Sequence, residues 1–294
     1  MCRLLLSMNR YIDEQTLINF FDQSIQYKNT PGISNKFDSN FHLDGYGLAW
    51  FDNKYNLCVY KCAETYNKDI NFRNILSELT SSLFVIGHIR NKGKYSDAEK
   101  NINNCHPFVC DNYIFVHNGF IKNFKLHKHK IHNLIHPKYI NKIQGKTDTE
   151  YLFYYLLTII NTITNNNINE KYRKAFLYKR AFEILINVFN NENIEFVGNF
   201  IFSDTNIVLV FRFISKNFNN INTFDIIKSY IFRQKNEPPS LYYSNIDLNP
   251  DNILITSEPV NSNYKLIEKN KLFIYKINKN KIISNNQLHT HDEI

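Results

Sequence analysis

The pattern of the chain predicts an α+β domain built in layers, and three observations predict it. Runs of β-branched and aromatic residues come first, helical periodicity occupies the middle, and strand-like runs return near the end. Hydrophobic residues fill 43% of 294 positions, enough to bury one sizeable core. No Pro/Gly/Ser-rich linker divides the chain, so the late strands are expected to rejoin the first sheet.

Early strands are expected at residues 3–8, 46–51, 57–61, 84–90 and 113–117, where Leu, Val, Ile, Tyr and Phe cluster. Between them, Leu17, Phe20, Phe21 and Ile25 fall at helical spacing within 13–27, and Ile70, Ile75 and Leu79 do so less cleanly within 69–81. A longer helical region opens at Asp148 and runs through 155–160; another spans 172–189, after the polar break Thr164-Asn-Asn-Asn. Strands return at 194–202, 207–213, 252–257 and 272–277, with Ser203-Asp-Thr-Asn as a hairpin signal between the middle pair. An Asn-rich insertion near 215–236 and a polar tail over 278–294 read as loop and disorder, leaving 2–277 as one domain.

The net charge of +8 is carried by Lys and Arg scattered among 45 Asn, without a basic run or basic helix, which argues against nucleic acid as a partner. The longest strongly apolar stretch, Tyr151 to Ile160, is half of the ~20 residues a membrane span needs. Asn, Lys, Ile, Tyr and Phe share AT-rich codons, so the skew against the 8 Gly and 5 Ala reads as genome composition, and the surviving glycines merit inspection. Five cysteines form an odd set, and the N-terminus lacks the features of a signal peptide, so a reducing, cytoplasmic setting is expected.

Cys2 is the first candidate for chemistry. Methionine aminopeptidase removes Met1 ahead of a small residue, and the new terminus would carry a thiol and a free α-amine together. Their ordinary pKa values, about 8.5 and about 7.7 to 8.0, let one residue supply both nucleophile and general base near neutrality. Polar or glycine-bearing clusters follow in order: Asp44-Gly-Tyr-Gly-Leu-Ala-Trp50, Gly87-His-Ile-Arg90, Asn104-Cys-His-Pro-Phe108 with His117-Asn-Gly119, and Gly145-Lys-Thr-Asp-Thr-Glu150. Pro239-Ser-Leu-Tyr-Tyr243 and Thr256-Ser-Glu-Pro259 complete the series.

With Met1-Cys-Arg-Leu4, this ordered set resembles the class II glutamine amidotransferases, which are N-terminal-nucleophile hydrolases, and most closely their stand-alone glutathione-degradation (DUG-type) branch. The resemblance covers nearly the whole chain and implies a four-layer αββα sandwich. It implies Cys2 as nucleophile, and Asn118 with Gly119 as donors to the oxyanion; standing alone, His117-Asn-Gly119 reads as a hairpin turn after a strand. It further implies that Arg90 binds the α-carboxylate of a glutamyl group, which a planar guanidinium can do bidentately. Asp148 would hold the substrate ammonium while Thr147 caps the helix, and His88 would shape the substrate site. Arg3, Asp44, Gly45, His106 and His117 take supporting places. The substrate expected is a small molecule with a γ-glutamyl group and a free amino-acid end.

Two positions depart from the family pattern: His42 stands where Asn is usual, and Asn91-Lys92-Gly93 follows the His-x-Arg unit where a small residue and then Thr or Ser are usual. His127, His129, His132 and His136 lie among lysines in a solvated loop or helix face, and Cys58 and Cys62 on one strand would be about 13 Å apart, so no metal is expected. No cofactor is implied. The resemblance leaves open glutathione or another γ-glutamyl compound with a peptidase partner, glutamine with ammonia passed to a separate synthase, or a non-catalytic binding protein of the same fold.

Overall fold

The computed structural model describes residues 2–25, 42–92, 98–165, 174–216, 239–245, 252–260, 264–277 and 290–293. Met1, residues 26–27 of the expected first helix, the insertion beyond 216, Gly93, and most of the tail therefore lie outside the described residues.

One sheet contains β1 (Arg3–Met8), β2 (Tyr46–Phe51), β3 (Leu57–Cys62), β4 (Phe84–Ile89), and three later strands. The other begins with β5 (Phe108–Cys110), β6 (Tyr113–Ile121), β7 (Phe196–Ser203) and β8 (Ile207–Ile214). The later strands of the first sheet are β9 (Tyr242–Asn245), β10 (Ile253–Thr256) and β11 (Lys265–Leu266), while β12 (Lys271–Lys276) and β13 (Thr290–Glu293) join the second. The seven-stranded order is β11-β9-β10-β1-β4-β2-β3, and the six-stranded order is β13-β12-β8-β7-β6-β5. As expected, a strand formed late in the chain, β10, returns to pair with β1.

Helices cover the outer faces. Against the first sheet lie α1 (Glu14–Asp22) and α2 (Phe72–Thr80), sharing a core with Leu5, Leu48 and Val85. Against the second lie α3 (Phe124–Leu134), α4 (Pro137–Ile140), α5 (Asp148–Asn165) and α6 (Lys174–Asn191), around Phe115, Phe200 and Phe211. A third core, with Leu4, Leu6, Ile86, Val116, Ile201 and Val210, fills the gap between the sheets. The result is the four-layer αββα sandwich. Both faces of each inner sheet are covered, which is why Arg3–Met8 is buried at all six positions instead of alternating.

Local chemistry starts and stops these elements. Asp13 caps α1, accepting from the Thr16 N–H at 2.8 Å. Thr147 Oγ1 accepts from the Glu150 N–H at 3.3 Å at the start of α5. In the hairpin turn between β7 and β8, Asp204 Oδ1 accepts from the N–H groups of Asn206 and Ile207 at 2.9 and 2.8 Å, and Tyr178 of α6 donates to Oδ2 at 2.7 Å.

The histidine-rich segment, left open as a loop or a helix face, is a regular helix, α3, whose only buried side chain is Ile131. Two departures from the sequence reading are informative. β6 extends through Asn118 and Gly119 to Ile121 and pairs with Val197, Gly198 and Asn199. The Asn-Gly pair is thus inside a strand, correcting its expected place in a turn after one. In the segment read as a tail, Thr290–Glu293 pairs with β12. Among the described residues, no helix is long and apolar enough to cross a membrane.

The second outer core is aromatic. Phe200, 1% exposed, lies with its ring centroid 6.0 Å from those of Phe115 and Phe196, and 4.5 Å from that of His117. Phe200→Ala is expected to cost about 3–5 kcal/mol through lost burial and the cavity left behind. Urea unfolding checks this; a loss below about 1 kcal/mol would show that the core refills the space.

Candidate active site

Strand alternation carries polar side chains to one end of the gap between the sheets. Leu4 and Leu6 of β1 face that gap, and the same alternation directs Cys2, just ahead of the strand, to the same side. On β4, Phe84 and Ile86 lead to His88; on β6, Ile114 and Val116 lead to Asn118. Leu4 pairs in register with His88, so both strands present this end of the gap together.

Cys2 is partly exposed as a residue, but its sulfur is enclosed. Sγ accepts from the Asn91 N–H at 3.3 Å and lies 3.5 Å from the Asn91 carbonyl oxygen. Burial pushes the thiol above its ordinary pKa, while the Asn91 N–H and the charges of Arg90 and Arg3 pull the other way. The thiol is therefore protonated at neutral pH.

The Asn118 carboxamide, 2% exposed, donates to Ser257 Oγ at 3.3 Å. Ser257 Oγ also accepts from the Leu4 N–H at 2.9 Å, so one hydroxyl touches both the Cys2-bearing strand and Asn118. Gly119 faces Gly198 across the ladder because His117 lies over them: a Cβ on Gly119 would sit 2.5 Å from His117 Nε2 and 2.0 Å from the Val197 carbonyl oxygen. His117 is held by Thr149 Oγ1 at 3.0 Å and the Val197 carbonyl at 3.3 Å.

Arg90 is 3% exposed and follows β4, which ends one residue earlier than expected. Its guanidinium donates to the carbonyls of Ala98 at 2.7 Å and Asp44 at 3.4 Å. Gly45, at a φ of +110° that only glycine adopts without strain, accepts from the Arg90 N–H at 2.8 Å, and the Asp44 carboxylate accepts from the Lys92 N–H at 2.8 Å. Asp148 is less free than its expected role suggests. Its two oxygens accept from the N–H groups of Ile121 at 2.7 Å and Thr149 at 2.9 Å, tying the end of β6 to the start of α5. Arg3 is buried and donates to the Cys2 carbonyl at 3.3 Å.

The rings of His88 and His106 are in contact, with centroids 3.9 Å apart and planes tilted by 42°. Burial lowers His88 to about 3 and holds His106 well below the usual histidine range, with neighbouring positive groups adding to both effects. Both are neutral at physiological pH. His42 is likewise buried. The four histidines considered for metal binding lie elsewhere, three on α3 and His136 at the start of α4; Cys58 and Cys62 are on β3. Among the described residues, no group of three or more His, Cys, Asp or Glu is placed to hold a metal ion.

Sequence reasoning assigned no role to Ser257, Glu258, Asn199 or Ser240, which close this end of the gap. Ser240 donates to Glu258 at 3.0 Å, and Asn199 Nδ2 donates to the Ser240 carbonyl at 2.7 Å. The signal present was the polar Ser-Glu pair directly after an apolar strand, and its partners become visible only when the sheets are stacked.

The family described as "Glutamine amidotransferases class-II" matches residues 1–235. The chain belongs to the class II glutamine amidotransferases. Within that family of enzymes it is of the DUG type: over 256 residues it is 29% identical to the "Probable glutamine amidotransferase DUG3" of Saccharomyces cerevisiae, covering 78% of this chain and 69% of the yeast protein. The solved glutamine aminotransferase class-II domain protein of Silicibacter pomeroyi aligns with a TM-score of 0.55 and 17% identity, over 94% of this chain and 95% of that one. Glutamine phosphoribosylpyrophosphate amidotransferase of B. subtilis, solved with ADP and GMP, gives 0.55 and 15%, over 94% of this chain but 47% of its own. At those identities the likeness is one of fold, and this amidotransferase spans about half of the B. subtilis chain.

The buried histidines make stability depend on pH. The lowered pKa of His88 means that its stabilising contribution is full above the ordinary histidine value and is lost as pH falls toward about 3, because the unfolded chain takes up the proton first. The melting temperature is expected to drop between about pH 7 and about pH 5, before most carboxylates titrate. A flat thermal profile over that interval would contradict it.

Proposed function

We propose that the chain hydrolyses a γ-glutamyl amide bond with Cys2 as nucleophile, acting on glutathione or a related γ-glutamyl compound. The reading rests chiefly on an enclosed thiol beside a central strand, with the Asn118 carboxamide joined to that strand through Ser257. Membership in the amidotransferase family supports the chemistry, and the DUG-type motifs support the substrate class.

Once Met1 is removed, the α-amine of Cys2 takes the thiol proton as Sγ bonds to the γ-carbonyl carbon. The carbonyl oxygen gains the negative charge, and Asn118 Nδ2 with the Gly119 N–H donate to it. The ammonium returns the proton to the leaving nitrogen, the C–N bond breaks, and a γ-glutamyl thioester remains. Water, deprotonated by the same amine, then attacks the thioester, releasing glutamate and restoring the thiol. The neutral His88 and His106 are not required as bases. Arg90 and Asp148 read the zwitterionic end, which selects free γ-glutamyl amino acids over internal peptide glutamine. With glutathione the second product is cysteinylglycine, a substrate for a separate dipeptidase in a reducing compartment.

An electrophilic glutamine analogue is expected to add one adduct at Cys2 in protein lacking Met1, and none to Cys2→Ala. Asn118→Ala is expected to lower kcat by about 10²- to 10³-fold. Release of cysteinylglycine from glutathione, measured beside release of ammonia from glutamine, decides the substrate; ammonia alone would identify a glutaminase instead. Retention of Met1 in the native host, or labelling away from Cys2, would overturn the mechanism.

A further inference from the structure

Ser257 immediately follows β10, whose last residue, Thr256, pairs with Leu5 of β1. Its backbone N–H donates to the Leu4 carbonyl at 3.0 Å, and its hydroxyl accepts from the Leu4 N–H at 2.9 Å. Both polar backbone groups of Leu4 are thereby closed by one residue, two positions from Cys2. The same hydroxyl accepts from Asn118 at 3.3 Å, and Asn118 belongs to the opposite sheet. At 2% exposure, Ser257 makes these bonds away from bulk water, where losing a partner costs most.

We infer that Ser257 is a positioning residue that sets the orientation of the Asn118 carboxamide relative to the Cys2-bearing strand. This rests on the function proposed above. A carboxamide has two N–H hydrogens on one nitrogen, and its terminal torsion is broad and roughly two-fold. Engaging one hydrogen with Ser257 Oγ fixes the amide plane, and with it the direction of the second hydrogen, the one available to an oxyanion. Because Oγ is also bonded to Leu4, the reference for that direction is the strand that carries the nucleophile. Without the hydroxyl, the amide must be oriented during the reaction, and that cost falls on the transition state more than on substrate binding.

Kinetics of wild type, Ser257→Ala, Asn118→Ala and the double variant test this. Ser257→Ala is expected to lower kcat by about 10- to 100-fold, as a small misplacement of a reacting or stabilising group does. KM is expected to stay within about two-fold. In the Asn118→Ala background the same substitution is expected to change kcat by less than about two-fold, because the group it orients is gone. Ser257→Thr, which keeps Oγ, is expected to recover most of the rate. If the alanine variant does not fold, Ser257→Cys keeps the volume while offering only a weak acceptor, and enters the same cycle.

Losses that multiply in the double variant, or a kcat that falls only in proportion to folded protein, would assign Ser257 a merely structural role and overturn the inference. A wild-type enzyme that turns over no γ-glutamyl substrate and is unlabelled at Cys2 would instead overturn the function on which it rests. A labelled, active wild type with multiplicative losses would overturn the positioning role alone.

Discussion

β1 is hydrogen-bonded along both edges, to β4 and to β10, and covered on both faces. A strand held on four sides cannot shift register without exposing an apolar face and breaking two ladders at once. The residue just ahead of it is therefore placed by the whole first sheet instead of by a loop. That is the position of Cys2, and the enclosure that places its thiol also raises its pKa. The rigid placement of the thiol and its poor ionisation have the same origin here. Under the proposed function, a base carried on the same residue comes into place together with the thiol.

The gap between the sheets is apolar through most of its depth and polar at one end, and the change occurs within one step of the ladder. Val116, Ile201 and Val210 form a cross-strand row in the inter-sheet core; two residues along, the corresponding row is Asn118, Asn199 and Arg212. Polar groups in such a place are costly unless bonded. Asn118 meets Ser257, Asn199 meets the Ser240 carbonyl, and Arg212 donates to the carbonyls of Pro239 and Ile267 at 3.0 and 2.8 Å. These bonds fasten the segment ahead of β9 over the end of the gap. The motif segments near 239–243 and 256–259, distant in sequence from Cys2, close the compartment that β1, β4 and β6 open.

Much of this was legible in the sequence. The strand runs expected at 3–8, 46–51, 84–90 and 194–202 lie within two residues of the observed strands because buried inner strands are almost uniformly apolar, and Asp148 announced α5 through helix-start chemistry. The short strands β5, β9 and β11 did not, for pairing with neighbours defines them more than composition does. The Asn118-Gly119 pair carried a turn signal that tertiary structure overrode: glycine there serves the close approach of His117, not a reversal of the chain. Ser257 could be flagged as part of a motif, but a hydroxyl that bridges two sheets has no local signature. Its meaning depends on residues 253 and 139 positions away.

Under the proposed function, Arg90 and Asp148 show how groups that would bind a zwitterion can be rigid before it arrives. A guanidinium has five N–H donors, and Arg90 directs some of them at the carbonyls of Ala98 and Asp44. A carboxylate accepts at about four lone-pair sites, and Asp148 uses one oxygen for Ile121 and the other for Thr149. Neither residue is exhausted by its structural bonds, and each is oriented by them. Arg90 is further tied to the Asp44-Gly45 loop through its own N–H, while Asp148 sits in the first turn of α5, two residues ahead of Glu150, whose carboxylate accepts from Gln144 and Gly145 at 2.9 and 2.7 Å. Under the proposed function, the entropy of ordering these side chains is met in folding, and a small ligand with two opposite charges has only its own freedom to lose on binding. Such a clamp would favour a substrate as small as a γ-glutamyl amino acid, for which few contacts are available and preorganisation must supply most of the affinity.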